Sequence, residues 1–224
     1  MAVGRDIIDE PDERTGQELS PSRSRANLKE QIRPAILSVL VLTVFSGVVF
    51  PLLLFAIARP LFPRQTAGSL IRRSGAVVGT DLIGQEFERP EYFESRPSAA
   101  GSGYDGTASG GTNLSPNNPK LVNGSSDFAG IRQLARAYRE RNGLTSDAPI
   151  PIDAVTRSAS GLDPHISLAN ALLQVPRVAR ARGLSEESVH RLVMDRLEGR
   201  QFGFLGSPRV SVLALNLALD QMKK

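Results

Sequence analysis

Cysteine is absent from this 224-residue chain, tryptophan is absent as well, and histidine occurs only at His165 and His190. Without thiols the chain has no disulfide scaffold, cysteine nucleophile, iron–sulfur ligation or thiolate zinc site, and two histidines exclude a histidine cluster for a metal. An excess of one charge is also lacking. The 27 basic and 23 acidic residues leave a formal +4, which is mild basicity and not the charge field of a nucleic-acid binder. What is uneven is the distribution of apolar residues.

From Ala35 to Ala58 the sequence AILSVLVLTVFSGVVFPLLLFAIA carries no charge. At about 1.5 Å per residue it reaches roughly 36 Å, enough to cross a hydrocarbon core of about 30 Å with some tilt. It reads as a transmembrane helix over residues 34–59. A cleaved signal peptide is the rival, because Ala56-Ile57-Ala58 has the A-x-A form, but such apolar regions are shorter and begin nearer the N-terminus. A buried core helix is disfavoured because no polar face interrupts the run. Thr43, Ser46 and Gly47 form one small-residue stripe at i, i+3 and i+4, a surface on which another membrane helix can approach closely. Pro51 removes the N–H that would serve the Gly47 carbonyl, so a donor is expected from a neighbouring helix or a water.

Residues 1–33 are polar and without apolar periodicity, so a disordered cytoplasmic tail is expected there. Five basic residues (Arg14, Arg23, Arg25, Lys29, Arg33) precede the span and four (Arg59, Arg64, Arg72, Arg73) follow it. That asymmetry leans toward a cytoplasmic N-terminus. Residues 60–224 then form a single extracytoplasmic domain. Its strand-like runs are Ser69–Ile71 and Ala76–Gly84, separated by Ser74-Gly75, and a strand or buried helix start at Val210–Leu215. Between residues 95 and 126 lies a Gly-, Ser-, Pro- and Asn-rich loop, too long for an ordinary connection and expected to be ordered, with Tyr104, Leu114, Leu121 and Val122 as anchors. Helices are expected after Asp127 as cap, with Gly143 as stop, after Asp163 as cap with Pro164 in the first turn, and after Ser185. Pro176 is expected to kink or divide the second. Strands at both ends with helices between make the class α+β.

Chemistry is sparse. Ser160, Asp163 and His165 contain the residue types of a hydrolase triad, but two to five residues of separation rarely lets nucleophile and base face each other. The Gly-rich segment 101–111 lacks the lysine of a phosphate-binding loop. Glu86, Glu88, Glu91 and Glu94 read as a solvated charge run. No catalytic residue and no metal ligand is assigned, and the profile is that of an accessory subunit. A membrane-anchored hydrolase, or a periplasmic sensor or binding module using the long loop, is the alternative.

Four segments carry a resemblance: residues 88–99 (ERPEYFESRPSA), 109–116 (SGGTNLSP), 160–167 (SGLDPHIS) and 210–220. Together with Arg33-Pro34 before the span, they resemble, in order and over residues 33 to the end, the C subunit of the Kdp high-affinity potassium-transporting P-type ATPase. Ser211 stands where that family is expected to carry Asn, and the polar N-terminal extension is longer than usual. The resemblance implies a single-pass subunit of a bacterial inner-membrane complex. Its partners are then a channel-like subunit that carries potassium, a P-type ATPase subunit, a small single-helix subunit and the lipid bilayer, with no nucleic acid. It further implies a catalytic chaperone that raises the ATP affinity of the ATPase subunit, with Gln174 and Arg177 as the carried-over nucleotide contacts. A cytoplasmic N-terminus would put Gln174 across the bilayer from ATP.

Overall fold

The computed structural model describes residues 28–222. The chain divides between Ala58 and Arg59 into two units, each taken by itself. The expected tail lies almost wholly outside the described residues.

The first unit is helical. Helix α1 (Leu28–Val44) continues through a π-helical turn, Phe45–Val49, into α2 (Phe50–Leu61). Together Lys29–Leu61 make 33 residues, long and apolar enough to cross a membrane. The π turn sits just before Pro51, where the ladder widens and Phe50 N–H reaches back to Phe45 O. A proline breaks the regular ladder, and a local π turn is one way of accommodating it. Ser46 turns its hydroxyl onto Leu42 O at 2.5 Å. Gly47 has open space where a Cβ would stand, and Thr43, Ser46 and Gly47 are all exposed, so no described residue covers the stripe.

The second unit is the α+β domain. A short helix α3 (Pro63–Thr66) leads into hairpin β1 (Leu70–Arg73) and β2 (Ala76–Thr80), turned at Ser74-Gly75 as expected. Thirty-eight residues without strand or helix separate β2 from α4 (Pro119–Asn123). After these come α5 (Ile131–Asn142), a 3-10 turn (Ile152–Ala154), β3 (His165–Ser167), α6 (Leu168–Arg182), α7 (Glu186–Asp195), β4 (Leu197–Glu198), β5 (Arg209–Ser211) and α8 (Val212–Leu219). The second sheet is antiparallel in the order β3-β5-β4. Its inward residues Ile166 and Val210 join Val175, Val178, Val189, Val193, Leu215 and Leu219 from the three last helices in one core, with Phe93 at its edge wholly buried.

Several expectations change. Asp163 does not cap the helix. Residues 165–167 pair with β5, which postpones the helix to Leu168, and the cap is Ser167, whose hydroxyl accepts Asn170 N–H. Asp127 is likewise displaced: the turn closed by Ser125 and Phe128 delays α5, whose N-cap is Gly130. Pro176 does not divide α6, because Val175, Val178 and Ala179 around it are all core residues. Val210–Leu215 is both strand and helix start. Ser211 ends β5 and caps α8 by accepting Ala214 N–H, so the position where Asn was expected is a helix cap, a place both residue types favour. Ser185 and Gly143 serve as cap and stop where they were expected.

Candidate functional site

The segment 90–98 has no strand to pair with, yet Phe93 and Glu94 are buried, so their backbone groups need partners from elsewhere. Two carboxamides supply them. Asn216 on α8 accepts Phe93 N–H at 2.8 Å and donates to Phe93 O at 2.9 Å. Gln174 on α6 does the same for the next residue, accepting Glu94 N–H at 2.8 Å and donating to Glu94 O at 3.3 Å. Each side chain thus imitates one rung of a β-ladder, and the pair straps the segment across two helices.

Arg177 completes the strap. Its Nε donates to Asn142 Oδ1 (2.9 Å), Nη1 to Pro90 O (2.7 Å) and Tyr92 O (2.9 Å), and Nη2 to Gln174 Oε1 (2.7 Å), while Glu94 Oε1 lies 3.6 Å from Nη2. The guanidinium therefore makes four hydrogen bonds, with the Glu94 carboxylate beside it as counter-charge. Arg141 Nη2 holds the other Glu94 oxygen at 3.2 Å. Behind Gln174 the network continues through Asn170 to the Tyr138 hydroxyl and to Asp153, which also binds Ser167. Burial, with Glu94 nearby, raises the Tyr138 pKa, and burial pulls the Arg177 pKa down while Glu94 opposes it. Glu94 is thus separated from the run in which it was grouped: Glu86 and Glu88 are exposed and it is not.

Gln174 is 0% exposed and Arg177 9%. Every polar atom of the Gln174 side chain is engaged, so the carried-over nucleotide contact does not fit the structure at these two side chains. The clefts bordering the strap are mixed in charge. One of about 460 Å³ lies between the hairpin and α8, with Arg73, Glu88 and Arg89 at its walls. Another of about 300 Å³ is lined by Glu86, Glu94, Tyr104 and Arg141. Among the described residues no three His, Asp or Glu side chains gather as a metal-holding group.

The hydrolase constellation does not assemble. The Ser160 hydroxyl faces Leu162 N and Ser158 Oγ. Both His165 nitrogens face carboxylates, Nδ1 toward Asp163 at 3.7 Å and Nε2 toward Glu198 at 3.5 Å. Asp163 accepts His165 N–H at 3.0 Å and pairs with Arg96 at 2.9 Å. Burial alone would push its carboxyl up, but the His165 and Arg96 donors hold it down at about 2. A carboxyl depressed below its unfolded value of 3.8 contributes stability that is complete above that value and lost as the pH falls through about 2. In acid titrations followed by circular dichroism, Asp163→Asn should flatten the loss of stability between about pH 4 and about pH 2 relative to the parent. Superimposable curves would remove Asp163 from the acid response.

Around this pair the long loop is fastened to residues 158–163. Ser98 Oγ donates to Gly161 O (2.6 Å), and Gly110 N–H and Ser109 Oγ both donate to Ser160 O (2.9 Å), while inside the loop the Tyr104 hydroxyl donates to Arg96 O (2.5 Å). The loop is ordered, as expected, although its anchors are mainly hydroxyls and close backbone contacts.

A long apolar helix followed by an α+β domain whose polar residues are spent on internal fastening defines a membrane-associated subunit type. Residues 32–221 match the family described as K+-transporting ATPase, c chain (KdpC), and the chain belongs to that family. It is similar to proteins named potassium-transporting ATPase KdpC subunit from several bacteria. The Mycobacterium bovis protein (strain BCG / Pasteur 1173P2) is 47% identical over 195 residues, 87% of this chain and 100% of the relative. That of Koribacter versatilis is 49% identical over 194 residues, 86% of this chain and 95% of the relative. That of Sorangium cellulosum is 52% identical over 190 residues, 84% and 96% respectively.

Proposed function

We propose that this chain is the non-catalytic accessory subunit of an ATP-driven potassium uptake complex, working beside a channel-like subunit, a P-type ATPase subunit and a small single-helix subunit. The observation that carries the reading is the family match over residues 32–221. In this reading Lys29–Leu61 crosses the bacterial inner membrane once, Met1 is cytoplasmic, and the domain stands outside. The stripe of Thr43, Ser46 and Gly47, with the ladder break before Pro51, is the face that meets another span.

The same arrangement bears on ATP. If the subunit raises the ATP affinity of its ATPase partner, the effect is a coupling free energy carried through the assembled helices. Gln174 and Arg177 then contribute by keeping the domain's strap closed and make no direct contact with the nucleotide.

The absence of native cysteine makes the test clean. Ser102 is exposed, and Ser102→Cys should react with a membrane-impermeant thiol reagent in spheroplasts. Labelling only after lysis would reverse the orientation. In that background Gly47→Leu should reduce recovery of the ATPase subunit with the tagged chain while leaving membrane insertion intact, and full recovery would count against the packing face.

A further inference from the structure

Between β4 and β5 the chain makes a tight turn whose apolar side chains point into solvent. Phe202 is 79% exposed, Phe204 69% and Leu205 48%. Two exposed phenylalanines within three residues are not the random scatter of single apolar residues that every surface shows.

The turn is closed on itself. Gln201 N–H donates to Leu205 O at 3.0 Å and Leu205 N–H to Gln201 O at 2.9 Å, while Gly203 N–H donates to Arg200 O and Phe204 N–H to Gln201 O. Four N–H groups of the turn are satisfied in this way, which lowers the cost of leaving water at the headgroup boundary. Phe202 holds φ +53, a left-handed conformation disfavoured for a bulky residue. Beside the turn, Arg196 and Arg200 are exposed, and neither side chain is in an ion pair among the described residues. Arg209, by contrast, is paired with Glu198.

The tether between the span and the domain is short, given the reading of Lys29–Leu61 as a span. Eight residues, 62 to 69, separate Leu61 from Leu70, a reach of less than about 30 Å even when extended. They are folded back, with Arg64 paired to Asp81 and Ser69 N–H bonded to Arg64 O. The turn leads through β5 into α8, where Leu213 packs against Gly79 of the entry hairpin. Leu205 is therefore within about 30 Å of the hairpin by which the chain enters the domain.

We propose that the turn Gln201–Leu205 is an interfacial membrane contact: Phe202, Phe204 and Leu205 enter the boundary between headgroups and acyl chains, and Arg196 and Arg200 meet anionic lipid phosphates. The contact ties the domain to the bilayer at a second point besides its helix. Tethering makes so small a contact effective, because the second binding event is intramolecular. The basic side chains add attraction to an anionic surface.

The chain lacks tryptophan, so Phe204→Trp gives a single reporter. The full chain is reconstituted in vesicles of phosphatidylcholine and phosphatidylglycerol, with or without bromine on the acyl chains. Phe202→Trp is the second reporter, and Ile152→Trp, at a position 76% exposed, is the solvent reference. Indole emission from the Phe204→Trp chain should be blue-shifted relative to the reference and lose intensity to brominated lipid, and the effect should weaken when Arg196 and Arg200 are both changed to Glu. Emission from both reporters that matches the reference, unquenched, in a chain that resists carbonate extraction would overturn the contact alone. Extraction by carbonate would sink the span and the contact together. A blue shift that arises only on co-reconstitution with the other subunits, without bromine quenching, would also overturn it and would assign the turn to a protein surface.

Discussion

Arg177→Ala should lower the stability of the domain by about 3–5 kcal/mol, the range for breaking a buried ion pair from one side. The guanidinium serves Asn142, Gln174, Pro90 and Tyr92 and stands beside Glu94, whose side chain is 11% exposed. Truncation takes a donor from two backbone carbonyls and from the Asn142 and Gln174 amide oxygens, of which Gln174 keeps Glu94 N–H, and leaves Glu94 with Arg141 alone, a partner that is itself 54% exposed. A buried charge left with one half-exposed partner is the dominant part of the cost, and the orphaned carbonyls add to it. For a domain of this size the midpoint should fall by about 10 °C. Removing the carboxylate as well, in Arg177→Met with Glu94→Gln, should recover part of the loss, since neither charge is then stranded. Thermal unfolding of the purified full chain provides the check. A single variant within about 1 kcal/mol of the parent would mean that water already reaches the strap.

Gly161→Ala should cost about 4 kcal/mol, from backbone strain and overpacking together. Gly161 holds φ +68, and a Cβ there would stand 2.6 Å from Ala100 N and 2.6 Å from Gly110 O. Both are backbone atoms and cannot swing aside. Separation of the two segments would also break the Ser98 to Gly161 and Gly110 to Ser160 bonds. The loop should then come loose, and chymotrypsin should cut after Tyr104 well before the rest of the domain unfolds. Cleavage at the parent rate with an unchanged midpoint would show that the two segments are not pressed together as the structure has them.

The parts of this protein that were legible in its sequence are those encoded by neighbouring residues. An uncharged run is long enough to cross a bilayer whatever surrounds it, and the hairpin about Ser74-Gly75 follows from two short apolar runs and a two-residue turn. Gly143 and Ser185 mark helix ends because an end is decided within one helical turn. Asp163 shows where such reasoning stops. Its spacing to Pro164 has the form of a cap, but β5 claims residues 165–167 first, and β5 lies more than 40 positions further along.

The strap was illegible for the same reason. Asn216 to Phe93 spans 123 positions, Arg177 to Pro90 spans 87 and Gln174 to Glu94 spans 80. No periodicity encodes which far-off backbone a carboxamide will meet. Family resemblance singled out Gln174 and Arg177 as nucleotide contacts, whereas the fold buries both. By itself the sequence determined the membrane-length helix, the α+β class and the helix ends at Gly143 and Ser185, because those depend on local sterics, capping and hydrophobic pattern. Only the tertiary structure decided that Glu94 is buried, that the long loop is fastened and that the phenylalanine turn is left bare, because each depends on which distant segments the core brings together.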